Sequence, residues 1–173
     1  MNTDTHAINP NPKLILLCGL PGAGKTTLAK QMAPAIPAVR LCPDEWLMAL
    51  DIDLFDDPIR DKLEIQFWEH AKVLLGLGLS VILESGFWLR SDRDEKRLGA
   101  RALDVPVELY YLDVPLEERM LRLNRRRESE EPTAAVVERH EMEHWGTRFQ
   151  APDAQELELF DNHTTVTTKP LDF

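Results

Sequence analysis

The octet Gly19-Leu20-Pro21-Gly22-Ala23-Gly24-Lys25-Thr26 has the glycine spacing and the Lys-Thr ending of a loop that wraps a phosphate chain. Its fixed glycines let the backbone turn N–H groups inward with no Cβ in the way, and Gly22 adds a further permissive point. Lys25 is spaced to reach the β- and γ-phosphates, and the Thr26 hydroxyl is the expected Mg²⁺ ligand. Together Gly19, Gly22, Ala23, Gly24, Lys25, Thr26 and Thr27 form the expected nucleotide-binding set, at the positive end of a helix beginning near Gly24. A glycine turn that binds nothing is disfavoured by the flanks. The apolar run Lys13 to Cys18 reads as a strand leading in, and Thr27 to Met32 as a helix leading out.

Such a loop alone does not separate a kinase from a GTPase, an ATPase motor or a passive binding module. The Asn-Lys-x-Asp string that reads guanine does not occur, and too little chain follows the loop for the second helical domain of an AAA-type ring ATPase. Kinase chemistry gains by this elimination, and from the segment Leu41-Cys42-Pro43-Asp44-Glu45-Trp46. Asp44 lies just past a predicted strand, on the sheet edge that carries the phosphate loop. A carboxylate there can orient an attacking hydroxyl and accept its proton, and it can equally cap a short helix over Glu45 to Leu50.

Two further acids end hydrophobic runs. Glu84 follows Val81-Ile82-Leu83 and Asp113 follows Leu109-Tyr110-Tyr111-Leu112, and either can support Mg²⁺ through water. Glu84 is preferred because the third strand of such a sheet usually lies beside the first. Asp113 precedes Pro115 and can serve merely as a cap.

The formal net charge of −10 argues against a broad nucleic-acid surface, yet Arg119, Arg122, Arg125, Arg126 and Arg127 concentrate positive charge locally. On a helix Arg119, Arg122 and Arg126 share a face. They are candidates to neutralise charge in phosphoryl transfer, or to pair with Glu117 and Glu118 on a solvated surface. Arg90 and Arg93 follow Phe87 and Trp88 where an acceptor would enter; with Trp46 these aromatic residues either wall a pocket or simply pack. His140-Glu141-Met142-Glu143-His144 matches the zinc-peptidase string, but its charged flanks favour a solvated helix. Cys18 and Cys42 lack metal-ligand spacing and read as inert core thiols.

The elements that must carry these residues alternate. Strands are expected at Leu14 to Cys18, Val39 to Cys42, Ser80 to Leu83, Val107 to Leu112 and Thr164 to Thr168. Helices are expected from Pro58 to about Gly76, from Asp92 to Ala102 behind Ser91 as N-cap, from Pro115 to Arg127, and from Pro132 towards Trp145 with Gly146 as the stop. A short helix is expected in Asp153 to Phe160. The pattern predicts one α/β domain over residues 13–173, with a five-stranded parallel sheet between helical layers. Residues 1–12 read as a loose tail without a signal peptide, and no run is long enough to span a membrane, so a cytoplasmic protein is expected.

These motifs resemble the small P-loop kinases, a group that includes the zeta-toxin, chloramphenicol phosphotransferase and polynucleotide kinase families and many predicted kinases of AAA family type. The resemblance runs from Leu14 to about Arg127 and rests on the glycine loop, Asp44, Ile82-Leu83-Glu84-Ser85-Gly86, and Tyr111-Leu112-Asp113-Val114-Pro115 with Arg122 and Arg126 following. It implies a three-layer P-loop fold with a helical lid, here roughly residues 125–150. It implies ATP and Mg²⁺ as cofactors, Asp44 as base or acceptor ligand, and Arg122 and Arg126 as phosphate-contacting lid arginines. Many relatives have Asp where this chain has Glu84. The expected activity is transfer of the γ-phosphate to a hydroxyl of a small molecule, with Lys25, Asp44, Arg122 and Arg126 catalytic, Thr26 and Glu84 at the metal, and Arg90 and Arg93 towards the acceptor. A polynucleotide 5′-hydroxyl kinase and a nucleotide-binding regulatory module are the alternatives.

Overall fold

The computed structural model describes residues 11–129 and 136–167. Among them five strands, β1 (Leu14–Cys18), β2 (Ala38–Leu41), β3 (Ser80–Gly86), β4 (Val107–Leu112) and β5 (Asn162–Val166), form one parallel sheet in the order β2-β3-β1-β4-β5. The helices are α1 (Lys25–Ala35), α2 (Pro43–Ala49), α3 (Asp57–Gly76), α4 (Arg90–Arg101), α5 (Leu116–Glu128), α6 (Arg139–Arg148) and α7 (Ala154–Leu157). The central strand is apolar on both faces, and its alternation divides the core. Leu14, Leu16 and Cys18 join Phe67, Trp68, Ala71 and Leu75 of α3 and Ala100 of α4. Ile15 and Leu17 join Leu28, Ala29 and Met32 of α1. The three layers follow from that two-sided strand.

Several boundaries differ from the sequence reading. β3 continues past Leu83 to Gly86, so Glu84 lies inside the strand. β5 is the polar edge strand Asn162–Val166, two residues earlier than expected, because its pairing with β4 sets its position where no apolar run does. Ser91 is not the cap of α4. The helix starts at Arg90 behind Leu89, and the distant Gln150 Oε1 accepts the Arg90 N–H at 2.9 Å, a tertiary substitute for a local cap. Gly146 does not end α6, which runs to Arg148; the following Phe149 then stacks on Tyr111 at 5.9 Å. Pro132 and the adjoining part of the expected lid, and most of the expected N-terminal tail, lie outside the described residues. No described helix is long and apolar enough to cross a membrane.

Candidate active site

The glycine loop joins β1 to α1 at the carboxyl edge of the sheet. Gly22 holds φ +78°, and a Cβ there would stand 2.8 Å from the Arg119 carbonyl oxygen on α5, so glycine is required both by conformation and by helix contact. Gly24 is the N-cap of α1, which leaves the first N–H groups of Lys25, Thr26 and Thr27 without intrahelical acceptors, aimed from the positive end of the helix. Lys25 Nζ donates to the carbonyls of Gly19 (2.9 Å) and Leu20 (3.2 Å), across the mouth of the loop. Burial lowers the pKa of this ammonium; among the groups that oppose the shift Asp44 is foremost, ahead of Cys18, Cys42 and Glu84. Asp44, the base expected from sequence, and Lys25 therefore share one electrostatic neighbourhood.

Asp44 sits in the first turn of α2, and Cys42 occupies the N-cap position, so Asp44 is not the helix cap. Its Oδ1 accepts from Arg60 Nη2 at 2.6 Å, and about half of the side chain (52%) stays exposed. Arg60 also donates to the Leu54 carbonyl through Nε and Nη2, at 3.3 and 2.9 Å, and its Nη1 stands 3.7 Å from Glu64. Burial pushes the Glu64 carboxyl up to about 7.

Glu84 is buried on β3. Arg40 of β2 donates to its Oε1 through Nε at 2.8 Å, with Nη2 in ionic contact at 2.7 Å, and Nη2 donates to Glu45 at 3.1 Å. Burial raises the Glu84 pKa against the opposing Arg40 charge, and the Thr26 hydroxyl is close enough to act in the same sense as Arg40. Glu84 Oε2 is enclosed and takes no hydrogen bond of good geometry. A buried carboxylate oxygen lacking a partner, near a threonine hydroxyl, is a hard-oxygen donor set that fits Mg²⁺. Asp113 by contrast is exposed after β4, its N–H donating to Val166 of β5.

The α5 arginines divide by position. Arg122 Nη1 donates to the Ala23 carbonyl in the loop at 3.0 Å while Nε pairs with Glu118 at 2.8 Å. Arg119, buried, donates to the Val114 carbonyl at 3.0 Å and contacts the Pro21 carbonyl at 3.5 Å; burial lowers its pKa. Arg126 is half-buried one turn further on, and Arg125 and Arg127 are exposed. Thus Arg119 and Arg122 brace the loop from α5.

Arg93 does not face the cleft. Its side chain is 1% exposed, with Nε and Nη2 on the two oxygens of Glu156 at 2.6 and 2.8 Å, and Nη1 on the Phe87 carbonyl at 2.8 Å. The partner arrives from α7, 63 residues away, which is why the sequence suggested a substrate contact instead. Arg90 is exposed near Asp94 and Asp153, at 3.7 and 3.8 Å. Of the suggested aromatic wall, Phe87 is buried at φ +47° and Trp46 packs edge-on against Phe67; Trp88 meets Trp145 of α6. His140 and His144 are exposed, and Glu141 closes a capping box with Glu138, which gives the zinc-peptidase glutamate a structural task. Cys18 and Cys42 are buried free thiols. Arg40, Arg60, Glu64, Phe55 and Trp145 were not legible as site residues, since each is brought in by long-range contacts.

Solved structures with this fold include a candidate kinase of Chloroflexus aurantiacus, 20% identical over 91% of this chain and 88% of that one, with a TM-score of 0.70. Chaetomium thermophilum Kti12, solved with ADP-AlF3, is 18% identical over 89% and 88% of the two chains, with a TM-score of 0.69. The Mycobacterium tuberculosis APS kinase CysC, solved with AMPPNP and APS, is 19% identical over 90% and 89%, with a TM-score of 0.63. No curated protein sequence matches significantly. These likenesses establish the fold of the P-loop kinases, and the match of residues 14–152 to the profile of the AAA domain family makes this chain a member of that family.

Proposed function

We propose that the protein is an ATP- and Mg²⁺-dependent phosphotransferase acting on a hydroxyl of a small molecule. The observation that carries this reading is the half-exposed Asp44, held by Arg60 through one oxygen and acting on Lys25 more strongly than any other charge. Lys25 and the N-terminus of α1 hold the phosphates, and Arg122, with Arg126 behind it, supplies cationic charge from the lid side. Thr26 and Glu84 are the residues that would hold Mg²⁺, which when bound neutralises phosphate charge. Asp44 keeps Oδ2 for the acceptor: as the hydroxyl oxygen bonds to the γ-phosphorus and the bond to the bridging oxygen breaks, the hydroxyl proton passes to this carboxylate, leaving ADP and a phosphate ester.

An assay of acceptor-dependent ADP release tests the proposal. Lys25→Ala should abolish nucleotide binding or turnover with the fold kept. Asp44→Asn should keep nucleotide affinity while transfer falls by about two to four orders of magnitude. Undiminished turnover in the first variant, or transfer in the second, refutes the assignment. The polynucleotide alternative predicts label transfer from γ-labelled ATP to a 5′-hydroxyl oligonucleotide, which the charge of −10 disfavours.

A further inference from the structure

Three aromatic side chains from separate parts of the chain meet in one row. Phe55, in the loop between α2 and α3, stacks on Trp145 of α6, with centroids 6.0 Å apart and planes at 22°. Trp145 in turn contacts Trp88, after β3, at 6.1 Å and 49°. The row is not core: Phe55 is 46% exposed, and Trp88 and Trp145 are both partly exposed. Both ends are tied to the candidate active site. Trp88 Nε1 lies 3.1 Å from where a Gly86 Cβ would stand, and that same position is 3.0 Å from the Gly19 carbonyl of the phosphate loop. Phe55 follows Leu54, whose carbonyl accepts from the guanidinium that holds Asp44.

The charges at the Phe55 end bear on what this row can receive. Arg60 is committed to Asp44, to the Leu54 carbonyl and to the neighbourhood of Glu64. An anionic acceptor would therefore meet the Asp44 carboxylate with this guanidinium already engaged. A neutral ring meets no such cost and gains the stacking surface.

We propose that the acceptor is a hydroxyl compound with a flat apolar ring face and no anionic group beside that ring, seated on the Phe55–Trp145–Trp88 row with its hydroxyl towards Asp44. This rests on the phosphotransferase reading and adds the chemical class of its second substrate. Trp145 and Trp88 are then acceptor-binding residues, and α6 is a wall of the acceptor site.

Three matched probes test it by calorimetry, in the presence of Mg²⁺ and a non-hydrolysable ATP analogue: 4-nitrophenyl glucoside, methyl glucoside without the aromatic ring, and 2-carboxy-4-nitrophenyl glucoside with a carboxylate on that ring. The nitrophenyl glucoside should bind at least about tenfold more tightly than either of the others, a factor equivalent to about 1.4 kcal/mol. Trp145→Ala should erase the preference for the ring, and Trp145→Phe should retain most of it. Equal binding of the carboxylated glucoside or of methyl glucoside, an unchanged preference in Trp145→Ala, or no binding of any probe overturns the proposal. Nucleotide affinity measured separately keeps the two readings apart. If nucleotide binds and phosphate moves to ringless or anionic acceptors, only the acceptor class falls; if nucleotide does not bind, the phosphotransferase reading falls as well.

Discussion

Replacing Arg93 by Met separates a substrate contact from a structural one. The guanidinium and the Glu156 carboxylate are 1% and 2% exposed and make two charge-assisted contacts at 2.6 and 2.8 Å, with a third bond to the Phe87 carbonyl. Burial works against the arginine's charge, but Glu156 and Cys18 together outweigh it and hold the pKa above its ordinary value. Removing the arginine leaves the Glu156 carboxyl buried without its partner, a loss of about 3–5 kcal/mol. The freed Phe87 carbonyl belongs to a residue at φ +47°, a conformation that needs its surroundings to hold it. Urea denaturation of Arg93→Met should therefore show a loss in that range. The double variant Arg93→Met with Glu156→Leu should recover to within about 2 kcal/mol of the parent, because an apolar pair removes the stranded charge. A loss under about 1 kcal/mol in the single variant, together with a raised KM for the acceptor, would refute the structural reading and restore Arg93 to the substrate.

Gly22→Ala should lower stability by about 2–4 kcal/mol and weaken nucleotide binding at least about tenfold, since φ +78° is strained for alanine and its Cβ meets the α5 backbone; unchanged calorimetric affinity would contradict this. The folded-state pKa of Glu64, about 7, lies above its unfolded value, so the preference for the neutral form is full below about pH 4.5 and is lost as pH rises through 7. The ceiling is about 3 kcal/mol, reduced to roughly 1–2 kcal/mol because 29% of the side chain is exposed. Glu64→Gln should accordingly gain more stability over the parent at pH 8 than at pH 5, and equal gains at both would count against it. Burial pushes both thiols up to about 12, so Cys18 and Cys42 of the native protein should react with a thiol reagent at pH 8 roughly a thousandfold more slowly than free cysteine. Rapid labelling without denaturant would overturn that.

The phosphate loop was legible because its constraints are local: a backbone turn that needs glycine, an apolar strand before it and a helix after it. The strand assignments held at β1 and β4, whose residues are apolar whatever their partners, while β3 runs on past its apolar stretch to Gly86. They slipped at β5, where pairing alone sets the register. The start of α3 followed local chemistry, with Pro58 in its first turn behind the capping Asp56, but that of α4 did not, since Gln150 takes over from Ser91 at Arg90. Glu84 stands out in the sequence as an acid ending a hydrophobic run, while its grip by Arg40 depends on a neighbouring strand, 44 residues away.

The sequence by itself determined the α/β class, the strand–loop–helix that forms a phosphate cradle, and the chemical types at its mouth, because each is encoded within a few adjacent residues. Only the tertiary structure decided which arginines brace that cradle, that Arg93 is locked beneath it, and that Phe55, Trp88 and Trp145 meet beside it. Those outcomes rest on pairings between segments far apart in the chain, and such pairings exist only once the sheet has brought the segments together.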